Sequence, residues 1–242
     1  LPDVLAPLLS ANCTACHGDP DRILPTGAAI EVKAAPPVDR FGSSDTRQTG
    51  VGAHQSHLLP GATAISEPVT CTECHVLPSP DSLLHVGPSY TTPATLEWGP
   101  LATASGVEAS YDRGAATCAN YCHGATLTGG TNTAPVWNQV DGTQARCGTC
   151  HGDPPTSGAH IQHAAPNWYG VSCGVCHPSG YSLGAVGADA LPFHVNGATN
   201  MNPVGFSNWN PEAPGPSGYR GTATGCHGGT RYWTPGTSPS CG

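Results

Sequence analysis

The sequence predicts a mostly irregular fold with short helices and few or no strands, built as two tandem repeats around a core that apolar side chains do not supply. Three observations lead there. Leu, Ile, Val and Phe together number only 37 of 242 residues, a share at which ordinary chains stay disordered. Gly (32) and Pro (25) are abundant, and both interrupt long helices and continuous strands. Charged residues nevertheless make up only 10%, and the chain carries 12 Cys and 12 His. Such a chain must be held by disulfides, metals or a cofactor.

The cysteines show which. Cys13-Thr-Ala-Cys16-His17, Cys71-Thr-Glu-Cys74-His75, Cys147-Gly-Thr-Cys150-His151 and Cys173-Gly-Val-Cys176-His177 are four copies of C-x-x-C-H. Cys118-Ala-Asn-Tyr-Cys122-His123 is the same arrangement with one more residue between the thiols. C-x-x-C-H is the attachment signature of haem c. Two thiols add across the porphyrin vinyl groups, and the adjacent imidazole is then held under the iron. Structural zinc would need pairs of such knuckles closing on one metal, without His after every second Cys. A disulfide framework would not require His at all.

The elements recur in order. The first copy reads Cys-His-Gly (16–18), Gly-Ala-His54-Gln-Ser-His57, Cys74-His75, His85-Val86, Trp98-Gly-Pro100, Arg113-Gly-Ala-Ala-Thr117 and Cys122-His123-Gly124. The second reads Cys-His-Gly (150–152), Gly-Ala-His160-Ile-Gln-His163, Cys176-His177, His194-Val195, Trp209-Asn-Pro211, Arg220-Gly-Thr-Ala-Thr224 and Cys226-His227-Gly228. The expected organisation is a first three-haem repeat over 1–124, a linker over 125–146 and a second repeat over 147–242. A Pro, Gly, Ser and Ala-rich insertion at about 19–52 of the first copy reads as a surface loop.

The alignment sets Cys118 opposite Gly225, so Cys226-His227 is a haem site that lacks its first thiol. One thioether and a proximal His suffice for an anchor, and Cys241 is available as a second sulfur. A Cys226–Cys241 disulfide is the alternative in an oxidising compartment. The histidine count favours six haems. His17, His75, His123, His151, His177 and His227 serve as proximal ligands, and His54, His57, His85, His160, His163 and His194 as distal ones. Under a five-haem reading two His have other work. A lone distal candidate would read as a surface or hydrogen-bonding His, but these recur at matching places in both copies. Positions i and i+3 of a His-x-x-His turn share a helix face.

Two imidazoles per iron leave no open coordination position, which suits electron transfer over substrate binding. Met201 reads as a loop residue, and no nucleophile, flavin or phosphate-loop motif is present. Asp19, Glu73 and Asp153 read as solvated acids or acids hydrogen-bonded in turns, and Trp98, Trp137, Trp168, Trp209 and Trp233 as packing or hydrogen-bonding groups against porphyrins. The expected product is an electron carrier, not an enzyme. A net charge of −8, with Lys33 the one lysine, argues against nucleic acid or an anionic membrane surface as partner. No run of about 18 apolar residues spans a bilayer. The chain begins at Leu1 without a basic-then-apolar leader and so reads as a mature, exported form, although a truncated chain would look the same.

The run from Cys118 to His177, with Cys-x-x-x-Cys-His-Gly, Pro-Val-Trp137, Cys-x-x-Cys-His-Gly-Asp-Pro-Pro, Gly-Ala-His-x-x-His and a further Cys-x-x-Cys-His, resembles the multihaem c-type cytochromes of metal-reducing microbes. Those proteins mix C-x-x-C-H with longer sites, and Gly225 departs from their pattern. The resemblance implies extracellular or cell-surface electron transfer, with redox proteins or minerals as donors and acceptors. Related small cytochromes polymerise into filaments, the cytochrome nanowires, in which one subunit's haem takes a ligand from the next. A head-to-tail homopolymer of that kind is therefore expected. A monomeric periplasmic shuttle is the second reading and a multihaem reductase the third.

Overall fold

The computed structural model describes residues 14, 18–23, 30–36, 38–39, 41–59, 61, 64–76, 93–157, 160–165, 170–198 and 200. Within them the chain is mostly coil, with few short helices and two small antiparallel strand pairs, as its composition predicts. Among the described residues, helix α1 (His54–Leu58) and helix α2 (His160–Ala164) are the two α-helical turns, five residues each. The 3-10 turns Cys71–Glu73, Tyr121–His123 and Cys173–Val175 fall on cysteine motifs. Strand β1 (Ser110–Asp112) pairs with β2 (Thr117–Ala119), in register Tyr111 to Cys118. Strand β3 (Tyr181–Ser182) pairs with β4 (Ala185–Val186). No described helix is long and apolar enough to cross a membrane.

Two compact units emerge. The first gathers the described residues up to 61, 68–121 and 134–144, and the second gathers 64–67, 122–133 and those from 145 onward. In the first, the Asp112 carboxylate closes the β1–β2 hairpin by accepting the Gly114 and Ala115 N–H groups at 2.7 and 3.0 Å, a turn that Asp side chains form readily. The 134–144 segment then docks back. Cys118 N–H donates to Pro135 O and Trp137 N–H to Ala116 O, while the Trp137 indole N–H donates to Thr49 O at 2.8 Å. Gly52, at φ +43°, is required at this dock, because a Cβ there would lie 2.0 Å from the Trp137 Nε1.

The buried apolar side chains among the described residues are Val51, Leu58, Ala102, Val107 and Ala190. Together with the buried prolines Pro36 and Pro135, these small and medium side chains offset only a small part of the conformational entropy of ordering the described residues. Backbone and side-chain hydrogen bonds do much of the local shaping instead. The Glu73 carboxylate accepts the Leu101 and Ala102 N–H groups, each at 2.9 Å, and so ties the Trp98-Gly-Pro100 motif to the second cysteine motif.

Candidate haem sites

The Cys71 and Cys173 motifs fold alike. In each, the residue before the first Cys is extended, the 3-10 turn begins at that Cys, and the N–H groups of the second Cys and of the His both donate to the first Cys carbonyl, at 3.1 and 2.9 Å. Positions i and i+3 eclipse in a 3-10 turn, which sets the two sulfurs on one side, as thioether bonds to a single porphyrin require. A second shared bond brings a helix to each turn. Val69 N–H donates to His57 O at 2.8 Å, and Val171 N–H donates to His163 O at 2.6 Å. Each valine stands two residues before its cysteine, so the same clamp holds α1 against one motif and α2 against the other.

The histidine rings share a chemical state. Nδ1 of His54, His57, His75, His151, His160 and His177 lies at 2.7, 2.8, 3.2, 2.7, 2.7 and 2.9 Å from the carbonyl oxygens of Val51, Ala53, Thr95, Gly152, Ser157 and Asn200 respectively. His194 Nδ1 meets Ile65 O in the same way. A carbonyl only accepts, so each Nδ1 carries a hydrogen, and in a neutral ring of this tautomer Nε2 holds the lone pair. This is the arrangement in which an outer carbonyl fixes the tautomer and raises the basicity of a metal-binding imidazole.

Three ring pairs have a spacing that suits a shared iron. His54 and His75 have centroids 6.4 Å apart and planes 18° from parallel. His160 and His177, their counterparts in the second copy, stand 6.0 Å apart at 10°. His151 and His194 stand 6.2 Å apart at 73°. A metal–imidazole nitrogen bond of about 2 Å on each side of an iron separates two trans ring centroids by about 6 Å. Ordinary ring stacking also spans this distance. It does not explain why each pair joins the His of a different C-x-x-C-H to a His outside any such motif.

Electrostatics favour neutral groups here. Burial, ahead of the Glu73 and Cys71 charges, pushes the Cys74 thiol up to about 11. Burial, then Cys74, pushes Cys118 up to about 11, and burial raises Cys150. These sulfurs sit where an uncharged thioether costs nothing in solvation. Burial also lowers the pKa of His160 and His194 against the opposing effect of their carbonyl bonds, which favours the neutral, ligating form. No disulfide joins the described cysteines. Among the described residues no cluster of three or more His, Cys, Asp and Glu side chains could hold a metal ion by itself. Pairs of axial imidazoles fit a metal whose other ligands come from a macrocycle, and haem c is the group that two neighbouring thiols and a following His would anchor.

The other sites are placed more partially. Cys118 lies on β2 in the first unit, while Cys122 and His123 belong to the second. There Gly124, at φ +78°, lies so close to Cys150 that a Cβ would come within 2.3 Å of its carbonyl oxygen. Gly152 N–H donates to Thr128 O and Thr131 N–H to Gly148 O, so the segment after His123 runs along the Cys147–His151 motif. His57 lies with its ring centroid 5.7 Å from Trp137, and His163 lies on α2. Cys13, Cys16, His17, His85, Cys226, His227, Cys241, Met201, Trp168, Trp209 and Trp233 lie outside the described residues. Sequence reasoning missed the valine clamps and Tyr181. The clamps had a legible signal, since Val-Thr-Cys71 and Val-Ser-Cys173 recur. Tyr181, whose ring is 6.0 Å from His177 and 6.1 Å from His194, had none.

Residues 117–151 match the model of the Geobacter CxxxxCH...CXXCH motif family. Here the first half of that motif, Cys118 to His123, has three residues between the cysteines, and the second half is Cys147 to His151. No curated protein and no solved structure matches the chain. The match supports a multihaem c-type cytochrome, a class that binds haem c through cysteine motifs of this kind and transfers electrons.

Proposed function

We propose that this chain is an exported electron-transfer protein that conducts through closely spaced c-type haems with two histidines on each iron, assembled head to tail as an extracellular polymer. The observation that carries the electron-transfer reading is the set of three His–His pairs, each built on a different C-x-x-C-H. When bound, haem c supplies an iron that alternates between ferric and ferrous states. His54 with His75, His160 with His177 and His151 with His194 would hold the iron from two sides, leaving no open position for a substrate. The Nδ1–carbonyl bonds keep each imidazole oriented, and burial favours the neutral form of His160 and His194. Val76, Val175 and Phe193, each beside a ligand or within a cysteine motif and 59%, 48% and 40% exposed, offer apolar faces for a porphyrin to cover. Cys13, Cys16, Cys226 and the histidines His17, His85 and His227 complete six sites in this reading.

The polymer is supported by the way modules meet. Gly124 of one Cys-His-Gly lies on the Cys150 carbonyl of the next, a contact between successive attachment motifs that copies of the chain can repeat. The experiment is an intact mass of the purified protein, with electron microscopy of the same sample. A mass of 24.5 kDa plus six haems, with filaments, is the expected result. Five haems would remove the Cys226-His227 site. Lone subunits would favour the periplasmic shuttle, and high-spin haem with substrate turnover would support a reductase.

A further inference from the structure

We infer that the oxidised protein contains two electronically different kinds of bis-histidine haem: one with near-parallel axial rings at His54/His75 and His160/His177, and one with crossed rings at His151/His194. The inference rests on the proposed haem ligation and goes beyond it, because it assigns particular partners and an electronic state to each pair.

Nδ1 lies off the axis that runs from iron through Nε2. The carbonyl that accepts from Nδ1 therefore sets how far each ring is rotated about that axis. At the two parallel pairs, the helical rings bond the carbonyl three residues back, His54 to Val51 and His160 to Ser157. Their partners bond segments further along the chain, His75 to Thr95 and His177 to Asn200. Two acceptors in each copy accompany interplanar angles of 18° and 10°. At the third pair the acceptors differ in kind. His151 bonds the carbonyl of its own neighbour Gly152, while His194 bonds Ile65 and meets Tyr181 edge-on at 65°. The resulting angle is 73°.

Ring rotation has an electronic consequence. An imidazole donates through the π orbital perpendicular to its ring plane. Two parallel rings act on the same iron dπ orbital and split it from its partner. Two crossed rings act on different dπ orbitals and leave them nearly degenerate. A split pair gives ferric low-spin iron a resolved rhombic magnetic spectrum. A nearly degenerate pair retains orbital angular momentum and gives one strongly anisotropic signal at higher g.

The test is electron paramagnetic resonance on the full, haem-loaded chain, recorded along a potentiometric titration so that isolated ferric sites are seen. Both signal types are expected in the unaltered protein. His194→Met should remove a high-g component and leave the rhombic intensity, while His160→Met should do the reverse, with haem content by mass unchanged in each. A spectrum of rhombic signals alone in the unaltered protein overturns the inference, even if neither variant loads haem. So does loss of the same signal type in both variants. Low-spin haem of a single kind would leave the electron-transfer reading standing, whereas haem-free or high-spin protein would overturn that reading itself.

Discussion

Helix α1 and helix α2 present the same His-x-x-His pair to the same kind of cysteine turn, yet their surroundings differ sharply. In the first unit Val51, Leu58, Ala102 and Val107 are buried, and Trp137 lies against both His54 and His57, with centroids at 4.8 and 5.7 Å. In the second unit Ala190 is the buried apolar side chain among the described residues, and α2 itself buries none. The ring pairs are nonetheless almost superposable in spacing and angle. The similar ring geometry therefore goes with the local clamp that both copies share, the valine N–H on the second histidine's carbonyl, and not with the buried apolar side chains, which differ between the two units among the described residues.

The largest test of this comparison removes the cofactor. Chain produced without haem should show no cooperative thermal transition by circular dichroism, because the chain is poor in large apolar residues and the described residues of each unit bury few of them. The haem-loaded protein should melt cooperatively. A cooperative melt of the haem-free chain would break the comparison, showing that the core around Val51 and Trp137 folds on its own.

A smaller effect is expected at Trp137, which is half-buried. Trp137→Ala should cost about 1–2 kcal/mol, below the range for a fully buried aromatic, and should alter the magnetic signal of the His54/His75 haem while leaving that of His160/His177 unchanged. Gly52→Ala should act in the same direction, because a left-handed residue other than glycine costs about 1–2 kcal/mol and the added methyl meets the indole. Equal disturbance of both parallel pairs would show that the copies depend on a common support.

Tyr181 offers the matching test in the second unit. Its ring touches His177 of one pair and His194 of another. Tyr181→Phe keeps those contacts and should leave the reduction potentials within experimental error. Tyr181→Ala should shift the potentials of these two haems and lower the melting temperature by a few degrees, equivalent to about 1 kcal/mol in a domain of this size. If Phe acts like Ala, the hydroxyl rather than the ring is what matters, and the packing account fails.

Much of this was legible in the sequence for stated reasons. Scarcity of Leu, Ile, Val and Phe with abundant Gly and Pro led to an irregular fold, and C-x-x-C-H requires particular residues at fixed spacing. Recurrence marked His54, His160 and His194, which the structure sets beside motif histidines, and also His57 and His163, which lie on α1 and α2. Which histidine faces which was not legible, because pairing is decided by backbone groups that every residue carries. Val69 reaches His57 across 12 positions and Val171 reaches His163 across 8, so loop length does not report the clamp. Ile65 accepts from His194 at a separation of 129 residues, and nothing about an isoleucine marks its carbonyl. Trp137 reads in the sequence as a packing or hydrogen-bonding group, but its dock on Thr49 depends on Gly52 being bare, a requirement visible only in three dimensions.

The smallest predicted effect concerns the loop that follows Trp137. Asp141 accepts from Thr143 N–H and Oγ1–H at 2.9 and 2.6 Å and from Gln139 Nε2–H at 2.8 Å. Those bonds, the Thr143 hydroxyl foremost, hold its carboxyl down at about 2 against an ordinary 3.8. The same loop delivers Gln144, whose side-chain oxygen accepts the Val136 N–H at 2.9 Å beside Trp137. Because the folded value is depressed, the unfolded chain binds the proton first as pH falls. The carboxylate's contribution is therefore complete above about pH 4 and is lost as pH drops toward 2. Asp141 is fully exposed, so the contribution is small and solvent-screened. The melting temperature of Asp141→Ala should fall slightly below that of the unaltered protein near neutral pH, and the gap should close on acidification through that window. A gap that stays constant with pH would mean that the loop is shaped by its backbone, leaving Trp137 to be positioned by the Thr49 and Ala116 carbonyls alone.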